Sequence, residues 1–250
     1  MKTIAISGKG GTGKSTLAAL IIRWLSEHVS HSILAVDADS NVNLNDLLGV
    51  QLKETVGTIR EEMKTKVNNL PGGMTKQQFL EYKIQSSLVE APSFDLIAMG
   101  RPEGSGCYCY ANNLLRDILK SLGENYDFVV IDNEAGMEHL SRRTAQNIDI
   151  LLIVSDPSIR GIQAAGKISR LLKELETRVK EKNLILNRVR NSLSRPVKKV
   201  IEGEGLKLLH SIPEDEKLLK IDQDGNPIWK INPRSPAYLA VDKLMKNIEL

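Results

Sequence analysis

The chain has 250 residues, 41% of them hydrophobic, which is enough for one well-buried core. Its 34 basic residues outnumber its 31 acidic residues by only three, a balance that argues against an obligate nucleic-acid coat protein. Two cysteines exclude a disulfide framework, no apolar stretch approaches the roughly 20 residues of a membrane span, and the N-terminus lacks a secretory signal pattern. We therefore predict a cytoplasmic protein.

The predicted elements alternate between short apolar runs and longer amphipathic stretches. Runs typical of buried strands lie at residues 3–7, 33–37, 94–99, 128–132, 150–155 and 183–187, with a weaker candidate at 207–211. Helical patterns lie at residues 14–27, 111–122, 158–179, 195–202 and 237–248. This alternation predicts an α/β fold with a mostly parallel, doubly wound sheet flanked by helices. In such sheets ligands bind outside the carboxyl ends of the strands.

One stretch fits the alternation poorly. Residues 52–90 contain two amphipathic helical patterns, at 55–67 and 76–89, separated by Pro71-Gly72-Gly73. We interpret this stretch as a helical insertion after the second strand, within a single domain that spans residues 1–250.

A glycine-rich loop follows the first strand. Residues 8–15 read Gly-Lys-Gly-Gly-Thr-Gly-Lys-Ser, which matches the GxxxxGK[ST] spacing of a phosphate loop between a strand and a helix. Backbone N–H groups of such a loop surround the phosphates, Lys14 is expected to reach the β- and γ-phosphates, and Ser15 to ligate Mg²⁺. We therefore predict a Mg²⁺-dependent ATPase with a P-loop NTPase fold. The predicted nucleotide-binding residues of the loop are Gly10, Gly11, Thr12, Gly13, Lys14, Ser15 and Thr16.

The loop carries a second lysine, Lys9. The sequence Lys-Gly-Gly-Thr-Gly-Lys-Ser resembles the deviant Walker A loop of the cell-division and plasmid-partition ATPases, the MinD/ParA-like members of the SIMIBI class. The resemblance implies that Lys9 reaches across a dimer and stabilises charge on the transferring phosphoryl group of the partner's ATP. Lys9 and Lys14 are then both catalytic, and ATP or ADP is the bound nucleotide. The alternative for Lys9 is a solvated loop lysine.

Carboxylates follow two of the predicted strands. Asp37 and Asp39 end the second strand as Val-Asp-Ala-Asp, and Asp132 ends the run Phe-Val-Val-Ile-Asp. In the resembled superfamily the second residue of such a pair orients the attacking water, so the resemblance implies that Asp39 is catalytic. It also implies that Asp37 lies near Mg²⁺ and that Asp132 holds the ion through a water. The alternative for each carboxylate is a cap on the following turn.

Two later strands end in residues that resemble the superfamily's adenine-recognition positions. Asn187 and Arg188 follow one strand, and Pro213 and Asp215 follow the last. The resemblance implies that an amide side chain and a loop surround the base. Asn is equally a good turn residue, which leaves a purely structural role open.

The two cysteines, Cys107 and Cys109, stand two positions apart in a glycine-punctuated segment. In an extended segment positions i and i+2 face the same way, so both sulfurs can reach one metal ion. Two thiolates cannot complete a tetrahedral zinc site or a square-planar nickel site, but a two-fold axis between two copies would supply four. The spacing therefore suggests a homodimer with one shared metal ion, and inert cysteines remain the alternative.

Three further segments are similar to the carbon monoxide dehydrogenase maturation ATPases of the CooC type. They are residues 101–112 (Arg-Pro-Glu-Gly-Ser-Gly-Cys-Tyr-Cys-Tyr-Ala-Asn), 132–144 and 155–161 (Ser-Asp-Pro-Ser-Ile-Arg-Gly). The resemblance implies an ATPase that dimerises on ATP, binds nickel or zinc at paired Cys-x-Cys loops and assists nickel insertion. Its client would be carbon monoxide dehydrogenase or acetyl-CoA synthase.

Two other functions compete with nickel insertion. A MinD/ParA-type positioning or partition ATPase would bind DNA or a membrane when loaded with ATP, and the basic residues at 188–199 could serve it. An iron–sulfur scaffold of the same superfamily usually carries Cys-x-x-Cys late in the chain, a motif that is missing here. We predict no nucleic-acid partner, because a solvated helix face explains the basic residues. We predict no stable membrane association, because the polar face of the amphipathic segment 238–250 mixes acidic and basic residues, whereas a membrane-surface helix is usually strongly basic.

Overall fold

A computed structural model describes residues 1–66, 73–101, 122, 125–134, 147–174 and 178–248. Its core is an eight-stranded sheet with the strand order β3-β4-β2-β5-β1-β6-β7-β8. The strands are β1 Lys2–Gly8, β2 Ile33–Ala38, β3 Val89–Glu90, β4 Asp95–Ala98, β5 Phe128–Asn133, β6 Asn147–Ser155, β7 Arg178–Val189 and β8 Leu208–Pro213. Every pairing is parallel except that of the short edge strand β3 with β4. The predicted α/β sheet is confirmed.

Helices cover both faces of the sheet. They are α1 Lys14–His28, α2 Leu44–Leu48, α3 Val56–Lys66, α4 Lys76–Ser87, α5 Ile159–Glu174, α6 Arg195–Gly203, α7 Glu216–Gln223 and α8 Pro236–Lys246, with a 3₁₀ helix at Ile228–Lys230. Successive residues of β1 face opposite layers: Ile4 and Ile6 join the core under α1 and α8, and Ala5 joins the core under α5. Strands buried on both faces explain the near-continuous apolar runs in the sequence.

Several elements differ from the sequence prediction. The helix predicted at 158–179 ends at Glu174, and β7 already begins at Arg178. Strand β8 pairs with β7 only from Leu184 onward, so the first residues of β7 are mostly exposed. These residues are largely charged, and they lack the apolar pattern of a buried strand. The sequence also missed α2, which has five residues, and α7, which buries none of its side chains. The helix predicted at 111–122 lies outside the described residues except for Leu122.

Helix α1 is anchored at the end remote from the glycine loop. Arg23 is 3% exposed, and its guanidinium donates hydrogen bonds of 2.9 Å to the carbonyl groups of both Ile228 and Ile231. It also stacks over the Tyr238 ring, 4.5 Å from the ring centroid. These contacts satisfy a buried charge and fix α1 to the C-terminal region. Among the described helices, none combines the length and apolar character needed to cross a membrane.

Candidate functional site

The glycine loop lies at the middle of the sheet's carboxyl edge. Strand β1 pairs with β5 on one side, with Ile6 opposite Asp132, and with β6 on the other, with Gly8 opposite Val154. A Cβ atom on Gly8 would lie 2.3 Å from the Val154 carbonyl oxygen, so the loop leaves the strand through a gap that only glycine fits. The parallel register therefore delivers the loop next to the acidic end of β5.

Loop residues 8–15 have the backbone geometry expected of a phosphate loop. Gly11 and Gly13 adopt positive φ angles of 78° and 86°, which glycine tolerates best. The Thr12 hydroxyl donates a 2.9 Å hydrogen bond to the Lys9 carbonyl and closes the loop on itself. Gly13 is the N-cap of α1, and no side chain caps that helix. The helix N-terminus thus keeps N–H groups for an anion, in a loop where Lys14 is buried and Lys9 is exposed.

Asp132 at the end of β5 is 1% exposed and lies beside Ser15. Burial raises the pKa of Asp132 to about 7; a hydrogen bond from Ser15 and the charge of Lys14 oppose the rise, and Asp37 adds to it. Among the described residues, the Asp132 Oδ1 atom has no hydrogen-bond partner. A buried carboxylate oxygen without a partner, next to a hydroxyl, suits a hard cation such as Mg²⁺.

Asp37 has a different environment from Asp132, although the two residues are partners across β2 and β5. Its Oδ1 atom accepts a 3.1 Å hydrogen bond from the Asp39 N–H, and its Oδ2 atom accepts bonds of 3.0 and 2.9 Å from the N–H groups of Asn43 and Leu44. Burial raises the pKa of Asp37, and these three bonds oppose the shift. Asp37 thus folds the loop after β2 and holds the start of α2, while its role near Mg²⁺ stays a prediction.

Asp39 faces an open cavity of about 480 Å³. Its Oδ1 atom accepts a 2.8 Å hydrogen bond from the Asn41 N–H, which keeps the carboxylate in the loop after β2. The other lining residues come from the phosphate loop and the start of α1, from α2 and the residue before it, from β7 and from the end of α7: Gly10, Gly11, Gly13, Lys14, Ser15, Thr16, Asn43, Asp46, Leu47, Arg188, Asp222, Gly225 and Asn226. The structure therefore brings Asp39 and the predicted nucleotide-binding residues of the loop, except Thr12, to one cavity.

The four predicted adenine contacts meet in a smaller pocket beside Thr16, of about 60 Å³. Asp215 accepts hydrogen bonds from the N–H groups of Lys217, Leu218 and Ala237, and so joins α7 to α8. Although burial of Asp215 acts to raise its pKa, these bonds and one from Ser235 lower it overall. The Asn187 Nδ2 group donates a 2.9 Å hydrogen bond to the Thr12 carbonyl, the Arg188 guanidinium donates a 3.2 Å bond to the Gly11 carbonyl, and Pro213 ends β8. The neighbouring Leu218 and Leu219 add apolar surface to this pocket.

Sequence reasoning missed some of the residues that surround the cavity. Asp46 lies on α2, and Asp222, Gly225 and Asn226 lie at the end of α7; these helices have five and eight residues, too few for a clear periodic pattern. It also missed the hydrogen bond of 3.0 Å from the Ser40 hydroxyl to Glu134, which joins the loops after β2 and β5. Cys107 and Cys109 lie outside the described residues. Among the residues that the structure describes, no three or more His, Cys, Asp or Glu side chains are arranged to hold a metal ion.

Comparison with known proteins adds an independent line of information. Residues 3–228 match the CobQ/CobB/MinD/ParA nucleotide binding domain. An uncharacterized ATP-binding protein of Methanocaldococcus jannaschii is 43% identical, over 98% of this chain and 97% of its own. The carbon monoxide dehydrogenase accessory protein CooC of Rhodospirillum rubrum is 28% identical, and the match covers 98% of this chain and 97% of CooC. The septum site-determining protein MinD of Pyrococcus horikoshii, solved with Mg-ADP, has a TM-score of 0.70 at 25% identity, covering 99% of this chain and 96% of that one.

Proposed function

The chain belongs to the CobQ/CobB/MinD/ParA nucleotide-binding family, and on this basis we propose that it is a Mg²⁺-dependent ATPase that assists nickel insertion into a client enzyme. Two protomers pair around ATP, and Lys9 of each completes the site of the other. Cys107 and Cys109 of both protomers bind one nickel or zinc ion. The client is carbon monoxide dehydrogenase or acetyl-CoA synthase.

One observation carries the ATPase part of the proposal. The loop with two positive-φ glycines, the uncapped N-terminus of α1 and the buried Asp132 converge at one edge of the sheet. Ser15 and Asp132 would hold Mg²⁺, which supplies charge neutralisation at the β- and γ-phosphates. Lys14 binds the phosphates, and Asp39 accepts a hydrogen bond from the attacking water and orients it. The solved MinD relative with Mg-ADP supports this assignment.

Hydrogen bonds support coupling between the nucleotide and residues 99–109, which carry Cys107 and Cys109 and are called the cysteine segment. The Met99 N–H donates a 2.8 Å bond to the Asp37 carbonyl, and the Met99 carbonyl accepts one of 2.8 Å from the Gly57 N–H of α3. Met99 directly follows β4, and the chain continues through Arg101 toward Cys107 in the sequence. Asp37 therefore folds the loop after β2 through its side chain and holds the start of the cysteine segment through its backbone. A rearrangement of residues 39–44 on ATP binding would act on that segment.

The metal-binding part depends on the sequence and on one relative. Cys107 and Cys109 are the two cysteines of the chain, and a symmetric pair of chains supplies the four thiolates that nickel or zinc requires. The CooC relative of Rhodospirillum rubrum is named a carbon monoxide dehydrogenase accessory protein, and it aligns with nearly the whole chain. Transfer of the metal from a paired site to a client follows when hydrolysis separates the two cysteine segments.

The test is a nickel titration of the purified protein with ATP, with ADP and without nucleotide, combined with light-scattering measurement of mass. We expect one nickel ion per two chains with ATP. The double variant Cys107→Ser, Cys109→Ser should lose nickel binding and keep its ATP affinity. Ser105→Ala, a change in the same segment that leaves both thiols, is the matched control and should bind nickel as the wild type does.

Two results would contradict the nickel-insertion function. One is a cysteine-free double variant that still binds one nickel ion per dimer. The other is a wild-type protein that binds no nickel but binds double-stranded DNA or anionic vesicles only with ATP, which would favour a partition or positioning ATPase. Absence of ATP binding would contradict the ATPase assignment itself.

A further inference from the structure

A hydrogen bond joins the loop after β2 to the loop after β5. The Ser40 hydroxyl donates this 3.0 Å bond to the Oε1 atom of Glu134, which lies 94 positions later in the chain, and both residues are partly buried. Backbone pairing of the two strands ends at Ala38 and Asn133. The side-chain bond therefore continues the connection between the two segments just beyond the point where the sheet stops holding them.

The Glu134 end of this bond starts from a fixed part of the sheet. The neighbouring Asn133 is 2% exposed, and its Nδ2 group donates a 2.9 Å hydrogen bond to the Ile6 carbonyl of β1. A buried amide that is bonded to an adjacent strand restricts movement of the backbone at the end of β5. Glu134 thus lies two positions after Asp132, the proposed magnesium ligand, on backbone that the sheet holds in place.

The Ser40 end directly follows Asp39, which is proposed to orient the attacking water. The Asp39 N–H donates a 3.1 Å hydrogen bond to Asp37, and the Asp39 Oδ1 atom accepts a 2.8 Å bond from the Asn41 N–H. These bonds shape the loop internally, and neither joins it to the loop after β5. An ionised carboxylate has about four acceptor positions, so Asp39 can also accept a hydrogen bond from water.

The proposed hydrolysis requires the two loops to be correctly spaced. Asp39 acts on the water and Asp132 holds the ion, and both must be placed around the same phosphate group. A misplacement of about 1 Å at a reacting centre can cost on the order of 100-fold in rate. A hydrogen bond to an ionised carboxylate is among the stronger bonds that a side chain makes, which suits the Ser40–Glu134 pair to fix this spacing.

We propose that Ser40 and Glu134 are positioning residues, whose hydrogen bond sets the spacing of Asp39 and Asp132 and thereby the rate of ATP hydrolysis rather than the affinity for ATP. This inference rests on the proposed ATPase activity. Within the described part of the chain, the residues that line the 480 Å³ cavity include Asp39 but neither Ser40 nor Glu134. The pair therefore acts through Asp39 and not by contact with the nucleotide.

The test compares the single-turnover rate of ATP hydrolysis with the dissociation constant of Mg-ATP, on the full chain. Ser40→Ala and Glu134→Ala should each lower the rate by about tenfold, because each removes the same bond. The double variant should be no slower than either single variant. All three should bind Mg-ATP with nearly unchanged affinity. Ser86→Ala, which removes an exposed hydroxyl on α4, is the matched control and should change neither quantity.

A conservative variant separates positioning from direct chemistry. Glu134→Gln keeps an oxygen that can accept the Ser40 hydrogen bond but cannot act as a base at neutral pH. It should therefore retain most of the wild-type rate, whereas Glu134→Ala does not.

Hydrogen–deuterium exchange gives a readout without nucleotide. In nucleotide-free protein, the backbone N–H groups of residues 39–44 should exchange several-fold faster in Ser40→Ala and Glu134→Ala than in the wild type. Those of α8 should exchange as before, which would also verify that both variants fold.

Three results would overturn the inference. They are rate losses of Ser40→Ala and Glu134→Ala that multiply in the double variant, a loss of ATP affinity that matches the loss of rate, and a Glu134→Gln variant as slow as Glu134→Ala. Unchanged exchange of residues 39–44 in both alanine variants would also contradict it. A wild type that binds ATP but does not hydrolyse it would contradict the proposed ATPase function instead.

Discussion

The Met99 N–H donates a 2.8 Å hydrogen bond to the carbonyl group of Asp37, whose side chain folds the loop after β2. Strands β2 and β4 are neighbours in the sheet, and this bond extends their pairing by one residue beyond β4. The residue whose carboxylate organises the loop after β2 therefore also bonds, through its backbone, to Met99, from which the chain continues toward Cys107 in the sequence. A change of loop conformation at Asp37 has a direct route to Met99.

We expect Gly100→Ala to disturb this connection. Gly100 has a φ angle of 62°, and a Cβ atom there would lie 2.5 Å from the Thr55 Oγ1 atom. Both strain and collision oppose the substitution, so the free energy of unfolding should fall by about 1–3 kcal/mol in urea denaturation. Gly203→Ala is the matched control, since its Cβ would meet no atom within 4 Å, and equal stability of the two variants would contradict the expectation.

Asp132→Asn should change how stability depends on pH. The folded-state pKa of Asp132 is raised to about 7, above the unfolded value of 3.8, so the folded protein binds the extra proton between these values. The contribution of Asp132 to stability therefore decreases as pH rises through this window, by at most about 1.4 kcal/mol per pH unit. The difference between the unfolding free energies of the wild type and the Asn variant separates the contribution of Asp132 from those of the other carboxylates.

The measurement is urea unfolding of nucleotide-free, magnesium-free protein at pH 5 and at pH 8. Asp132→Asn should be the more stable of the two proteins at pH 8, and the difference should shrink at pH 5. Addition of Mg-ATP should reverse the order at pH 8, because the variant lacks the proposed carboxylate ligand. A difference between variant and wild type that is the same at both pH values would contradict the raised pKa.

Lys9 and Asp39 should complement each other across a dimer. In the proposed mechanism Asp39 acts in its own protomer and Lys9 in the partner's site, so Lys9→Ala and Asp39→Ala are each inactive alone. In an equal mixture half the dimers are mixed, and each mixed dimer has one complete site, which predicts about a quarter of wild-type ATPase activity. Phosphate release assays would measure it. A mixture with no more activity than either variant would rule out action between protomers.

Asp215→Ala should lower stability without a specific loss of base recognition. Its carboxylate accepts N–H bonds from Leu218 and Ala237 and so joins two helices, and its loss should cost about 2 kcal/mol of unfolding free energy. The pKa of Asp215 is lowered, so this stabilisation is present above pH 3.8 and lost as pH falls through the folded value. Asp224→Ala, at the exposed end of α7, is the control in thermal denaturation.

The sequence predicted most of the sheet because strands buried on both faces leave uninterrupted apolar runs. It also predicted that Ser15, Asp39 and Asp132 would gather at one edge, because parallel strands bring their carboxyl ends together. It did not predict α7, whose eight residues give too short a pattern and whose apolar residues Leu218 and Ile221 are only half-buried. Nor did it predict the charged first half of β7, which pairs on one side only and carries no apolar run.

The roles of single side chains were harder to predict than their locations. A residue name at a strand end does not reveal which backbone groups its side chain will reach. Asn187 bonds to Thr12, about 175 positions earlier in the chain, and Asp215 bonds to Ala237 on another helix. Such pairings arise from the three-dimensional arrangement of loops, which periodicity and motif spacing do not contain.

The anchoring of α1 by Arg23 has a consequence for synthesis of the protein. The helix that starts at the phosphate loop is among the first segments to leave the ribosome, yet the carbonyl groups that satisfy its buried guanidinium lie 205 and 208 positions later. Until those residues emerge, Arg23 has only its pair with Glu27 on the same helix, and its Nη1 group lacks both carbonyl acceptors. Burying that group against the sheet without its acceptors costs free energy, which disfavours the native docking of α1. A nascent chain should therefore acquire its nucleotide site only when translation is nearly complete.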